Sequence, residues 1–148
     1  KHGETFMAQS EVISLTAPQA YPKLEDAHRR ILVAVRSTMA FRFVAHPQGA
    51  ISIPWIDEPD WVVNPHFSTD VRKLLLGGVS CNEDEGCAPV ILICRSGKRS
   101  LEAGMCLLKA GFTEVYNVLD GFEGELDEQH HRSNEGGWRF HKLPWEQC

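Results

Sequence analysis

Residues 94–100 read Cys-Arg-Ser-Gly-Lys-Arg-Ser and set one thiol among three cations. The stretch follows an uncharged apolar run at 90–93 and opens a segment with helical spacing. A cysteine at such a junction lies beside the free N–H groups of the helix's first turn. Those groups, the helix dipole and the charges of Arg95, Lys98 and Arg99 favour an anion there, and thiolate over thiol. Gly97 allows the backbone to curl so that successive N–H groups point inward as an anion-binding nest. The chemistry open to this arrangement is attack by a nucleophilic sulfur on an anionic substrate. The plainer alternative is a buried cysteine at a strand end with cations beside it. Three cations within five residues of one cysteine are hard to explain as packing.

The elements that must hold this loop follow from the hydrophobic pattern. Residues 12–15 are short and β-prone, and Thr16 can cap a helix over 17–25 with Pro18 in its first turn. The runs 31–35 and 90–93 have the uninterrupted apolar character of parallel strands buried on both faces. Ser37 can cap a short helix reaching residue 43, and 49–53 reads as a strand ended by Pro54. Helical spacing covers 67–76 and 100–110, with Gly111 in the left-handed position past a helix end. Residues 115–118 are the last strand. The stretches 57–65, 77–88 and 119–137 are rich in proline, glycine or acids and read as loops. Residues 138–143 read as a final turn or short helix. Strands alternating with helices predict an α/β domain with a mainly parallel sheet, and ligands of such sheets bind at the carboxyl ends of the strands. Cys94 falls at one such end.

A length of 148 residues corresponds to one domain, expected over 11–148 with 1–10 as a flexible tail. Met7 is readable as a natural initiator, which would make residues 1–6 vector-derived. Apolar residues at 43% and charged residues at 24% exclude a disordered chain, a collagen-like repeat and a coiled coil. A domain of this size buries about two thirds of its unfolded surface and needs neither disulfide nor metal to fold. No apolar run approaches the ~20 residues of a membrane span, so no membrane partner is expected. The start of the chain lacks a secretory pattern, so a cytoplasmic location is expected unless a signal preceded residue 1. A net charge of −5 argues against a basic face for nucleic acid. Five cysteines are an odd count, which argues against a disulfide scaffold and suits a reducing compartment.

The loop 94–100 resembles the active-site loop of rhodaneses, sulfurtransferases that carry sulfane sulfur on a cysteine. Other stretches extend the likeness over most of the chain. Val35-Arg36-Ser37 stands where the family has Asp-Val-Arg, and residues 46–54 resemble its His-Ile-Pro-Gly-Ala-Ile-Asn-Ile-Pro. Ala110-Gly111-Phe112 with Val115-Tyr116-Asn117-Val118 resembles the helix end and last strand. Asp120-Gly121-Phe122-Glu123-Gly124 resembles the glycine turn beyond. The tail with Gly136-Gly137-Trp138 is similar to that of certain bacterial single-domain members. Two departures stand out. Ala34 replaces the acid of Asp-Val-Arg, which puts local hydrogen bonding in question, and Pro47-Gln48 displaces the family proline, which predicts an altered turn.

The resemblance implies a rhodanese-like α/β domain with a mainly parallel five-stranded sheet flanked by helices. It implies that Cys94 takes sulfur from thiosulfate or a persulfide donor and becomes a persulfide. A thiophilic acceptor then collects the sulfur: cyanide in the usual assay, a cellular thiol, or an acceptor protein. Arg95, Ser96, Gly97, Lys98, Arg99 and Ser100 form the binding loop, its N–H groups holding the persulfide. Arg95, Lys98 and Arg99 orient the donor's anionic end. No metal or organic cofactor is implied. A cysteine phosphatase or arsenate reductase would need an arginine after five intervening residues. Arg99 follows Cys94 after four, and position 100 is serine. A non-catalytic interaction module is the other alternative, and retention of Cys94 weighs against it.

Other candidates read more plainly. Cys81 and Cys87 flank an acidic insertion with a gap wider than zinc sites use, and are expected to be two thiols on a loop. His130-His131 is expected in a solvated loop, His46 in a hydrogen-bonded turn, Cys106 in the core and Cys148 exposed at the terminus. Trp55, Trp61, Trp138 and Trp145 are expected to pack in the core or its rim. Trp138 and Phe122 are candidates to wall the pocket mouth. Asp57, Glu58 and Asp60 are expected in solvent.

Overall fold

The computed structural model describes residues 11–26, 31–37, 40–41, 45–57, 61–77, 81–82, 86–87, 89–112 and 114–147. The expectations for residues 1–10, Glu58, Asp60 and Cys148 lie outside these, as do the side chains of Asp57, Cys81 and Cys87. The elements in chain order are β1 (Ile13–Leu15), α1 (Ala17–Asp26), β2 (Ile31–Ala34), β3 (His46–Pro47), β4 (Ile51–Ser52), β5 (Ile56–Asp57) and β6 (Val62–Val63). They continue with α2 (Phe67–Gly77), β7 (Cys81–Asn82), β8 (Gly86–Cys87), β9 (Val90–Ile93), α3 (Lys98–Lys109), β10 (Val115–Val118) and β11 (Trp145–Glu146).

Five strands form one parallel sheet in the order β1-β10-β9-β2-β4. The apolar runs lie at its centre: all four residues of β9 and of β10 are buried. Successive strand residues point to opposite faces, so one sheet makes two cores. Val33, Val90 and Leu92 pack with Phe67 and Val71 of α2 and with Ala103 and Leu107 of α3. Leu32, Ile91, Ile93 and Val118 face the other way, onto Ala17 and Ala20 of α1 and onto Phe122 and Trp138. Trp138 packs in the core as expected, with Phe122 beside it, at 1% and 0% exposed, so neither candidate walls the pocket mouth. Their rings are too apolar to leave in water when the α1 face of the sheet offers cover. The chain leaves β9 toward β10 on one side and leaves β2 toward β4 on the other. Between β9 and β2, at their carboxyl ends, the connections diverge and open a crevice.

Three regions differ in detail from expectation. The stretch read as loop from 57 contains an antiparallel pair, with Ile56 opposite Val63 and Asp57 opposite Val62. The acidic insertion pairs Cys81 with Cys87 and Asn82 with Gly86 across another short hairpin. Both are two-residue ladders, too short to show as alternation. The third is α3, which begins at Lys98 rather than Ser100, because Gly97 takes the N-cap position.

The resemblance-derived doubts resolve locally. Ala34 is fully buried, and its carbonyl accepts the N–H of Ile53 at 3.1 Å, so backbone groups join these strands without an acid. The Pro47-Gln48 segment makes a turn closed by Ala50 N–H to the Pro47 carbonyl at 3.1 Å. The His46 ring stacks on Phe41 at 3.8 Å, and its Nδ1 donates to the Phe41 carbonyl at 2.7 Å. Ser37 accepts the N–H of Ala40 at 3.2 Å, while 38–39 and 42–43 of the short helix expected after it lie outside the described residues. Cys106 is partly buried against the first core, and His130 and His131 are exposed.

Candidate active site

Cys94 is the residue directly after β9, at the mouth of the crevice, and is 4% exposed. Its Sγ accepts the N–H of Gly97 at 3.1 Å and the N–H of Ser100 at 3.4 Å. The Ser100 hydroxyl lies 3.2 Å from the same sulfur. Two N–H donors of the α3 N-terminus and its approach thus converge on one atom, with the Ser100 hydroxyl oxygen beside it.

The loop turns its N–H groups inward because its carbonyls are engaged outside. The Cys94 carbonyl accepts the N–H of Phe122 at 2.7 Å, and that of Arg95 accepts Glu123 at 2.9 Å and Gly124 at 3.2 Å. Two glycines permit the close approach. Gly97 has φ +96, and a Cβ there would run into the Leu119 carbonyl oxygen. Gly121 has φ +67, and a Cβ there would meet the Arg95 backbone at 2.5 Å. The glycine turn after β10 therefore shapes the loop after β9.

Beneath the loop, Asn117 of β10 is 1% exposed. Its Nδ2 donates to the Gly97 carbonyl at 3.2 Å, and its Oδ1 accepts the Ser100 hydroxyl. Sequence reasoning placed Asn117 in a strand and gave it no role. Its signal was a polar residue inside an apolar run, where a buried amide demands partners.

A cavity of about 480 Å3 opens above the sulfur. Cys94, Arg95, Ser96, Lys98 and Arg99 line it. Arg95, Lys98 and Arg99 are exposed, Ser96 is half-buried, and Gly97 and Ser100 are buried under the sulfur. The sequence reading did not bring Arg36, Trp61 and Glu123 to this lining. Arg36 had a usable signal, since it lies just beyond the carboxyl end of β2 beside β9.

Arg36 is a buried charge, and the surroundings account for it. Its guanidinium donates to the Ala45 carbonyl at 2.9 Å and to Glu123 Oε2 at 2.6 Å. Burial pushes its pKa below the usual arginine value, and the charge of Glu123 pushes back. Glu123 also meets Arg139 at 3.6 Å, and both guanidinium groups lie 5.4 Å from the centre of the Phe122 ring.

Residues 16–127 match the rhodanese-like domain family, and the chain belongs to that family. Its fold is the rhodanese-like α/β fold. The crystal structure of Rv0390 from M. tuberculosis superposes with a TM-score of 0.78 at 37% identity, covering 94% of this chain and 100% of that one. Rhodanese-like domain-containing protein 17 of Arabidopsis thaliana is 30% identical over 122 residues, 80% of this chain and 70% of that protein. The thiosulfate sulfurtransferase from Pseudomonas aeruginosa has a TM-score of 0.62 at 18% identity, over 92% of this chain and 20% of its own. That last likeness is one of fold. Among the described residues, no helix is long and apolar enough to cross a membrane.

Proposed function

We propose that the protein is a sulfurtransferase that carries sulfane sulfur on Cys94. The observation that supports this most is the convergence of the Gly97 and Ser100 N–H groups on Cys94 Sγ, in a cavity also lined by Arg95, Lys98 and Arg99. Donors held in place before the reaction stabilise charge without reorganising. With thiosulfate as donor, the Cys94 thiolate attacks the outer sulfur. The S–S bond breaks with its electron pair on sulfite, and Cys94 keeps the sulfur as a persulfide anion. Cyanide or a thiolate then attacks that outer sulfur and regenerates the Cys94 thiolate. Total charge is unchanged in each step, and neither needs a metal or organic cofactor. The exposed cations draw in the donor's anionic end. A free thiolate in this role fits a reducing, cytoplasmic setting.

The phosphatase reading has less support, since Arg99 follows Cys94 after four residues rather than five and position 100 is serine. The test is thiocyanate formation from thiosulfate and cyanide. Wild-type protein should turn over and Cys94→Ser should not. Phosphate release from an aryl phosphate, with no thiocyanate, would refute the proposal.

A further inference from the structure

Three features of the cavity over Cys94 exceed what a small inorganic anion needs. Its volume of about 480 Å3 falls in the roughly 300–1,000 Å3 range of pockets that enclose drug-sized organic ligands. Cys94 lies at its floor at 4% exposure, so only the narrow tip of a ligand reaches the sulfur. The third feature is Trp61, a lining residue of the cavity that is 54% exposed.

Trp61 is held there at a cost. Its φ of 54° is left-handed, a backbone state that bulky residues rarely adopt and that marks functional positions more often than others. Trp61 directly precedes β6 of the β5–β6 pair, and the N–H of Trp55 bonds the Val35 carbonyl at 3.1 Å, tying the residue before β5 to the end of β2. Arg36 is balanced by Glu123, which leaves Arg95, Lys98 and Arg99 for the ligand. Three cations beside an exposed indole suit a ligand with carboxylates and an organic body.

We infer that Trp61 selects the molecule that exchanges sulfur with Cys94. That molecule is an organic thiol or its persulfide, anionic and of small-peptide size. Its body lies against the indole, its carboxylates meet the three cations, and its sulfur reaches down to Cys94. The inference rests on the sulfur-transfer reading of the site. With a persulfide R–S–SH as donor, the Cys94 thiolate attacks the terminal sulfur. The S–S bond breaks with its electron pair on R–S⁻, which takes a proton from water, and Cys94 keeps –S–SH. The reverse exchange loads a thiol acceptor.

The test is binding, measured by titration calorimetry. The probe is S-methylglutathione, a carboxylated peptide thioether that cannot transfer sulfur, and sulfate is the inorganic control. Trp61→Ala should weaken S-methylglutathione at least tenfold and sulfate less than twofold. Trp61→Phe should restore most of the affinity. Equal losses for both probes, unchanged affinity in Trp61→Ala, or no binding to the wild type would each overturn the inference. The two readings fail separately. A protein that acquires sulfur from thiosulfate but ignores the thioether keeps the proposed function and loses this inference. One that binds the thioether through Trp61 but never acquires sulfur keeps Trp61 as the ligand-selecting residue and loses the transfer step.

Discussion

Asn117 accepts the hydroxyl proton of Ser100, and that hydroxyl oxygen lies 3.2 Å from Cys94 Sγ. A serine has one O–H, so the proton that faces Asn117 cannot face the sulfur at the same time. The side chain of Asn117 therefore governs how Ser100 meets each protonation state of Cys94. Asn117→Asp keeps the shape but places a negative charge in the network, which disfavours thiolate. Alkylation of Cys94 by iodoacetamide at neutral pH should slow about tenfold, the factor that ~1.4 kcal/mol implies. Ser100→Ala removes the hydroxyl and retains the N–H contact, so its effect should be smaller. Unchanged alkylation in Asn117→Asp would show that Asn117 only fills space.

Gly97 and Gly49 both have positive φ, at +96 and +83, but only Gly97 is crowded. Nothing lies within 4 Å of a Cβ at Gly49, so Gly49→Ala should cost only the left-handed backbone term, roughly 1–2 kcal/mol. Gly97→Ala adds a collision with the Leu119 carbonyl and displaces the N–H that meets Cys94. It should cost more stability and cut sulfur transfer at least tenfold. Thermal melts and thiocyanate assays on the two variants make the comparison.

The Arg36–Glu123 pair is buried, with side chains 4% and 12% exposed. Removing one partner of such a pair leaves an uncompensated charge, at about 3–5 kcal/mol. Glu123→Gln should approach that loss in urea unfolding. The double variant Arg36→Met/Glu123→Gln should recover much of it, since the buried Arg36 charge is gone and only the more exposed Arg139 loses a partner. A double variant as unstable as the single one would contradict this account.

Asp127 organises the exposed 127–134 loop. Its carboxylate accepts the N–H groups of Gln129 at 2.9 Å and His131 at 2.8 Å, and Asn134 Nδ2 at 2.7 Å. The His131 N–H, then Asn134, hold its pKa below the usual aspartate value. The folded pKa thus lies below the unfolded one. The loop's stabilisation is present above the unfolded value of about 3.9 and lost as pH falls through the folded pKa. A carboxyl NMR titration should place the Asp127 midpoint below about 3.9. A midpoint at or above that value would contradict the bonding described.

The sheet was readable from the sequence because its strands are long apolar runs or end at glycine and proline. All five predicted strand regions hold a strand of the parallel sheet. The loop 94–100 was readable because its residues are contiguous. Asn117, Arg36 and Trp61 were harder, since each reaches the site from another element. Trp61 depends on a hairpin of two-residue strands that leaves no periodic trace. The alternative that Phe122 and Trp138 wall the pocket mouth fails because nearness to glycine turns says nothing about which face of the sheet a ring covers. The C-terminal segment packs them against α1, and the Trp138 indole donates to the Pro144 carbonyl at 2.7 Å.

The most direct test of sulfur transfer at Cys94 is the intact mass of the protein after incubation with a sulfur donor. Thiosulfate and glutathione persulfide would each be tried, with wild type beside Cys94→Ser. The account predicts a gain of one sulfur, about 32 Da, in the wild type, reversed by cyanide and absent from the variant, as expected of covalent catalysis by an activated cysteine. No gain from either donor, or an equal gain in Cys94→Ser, would contradict it.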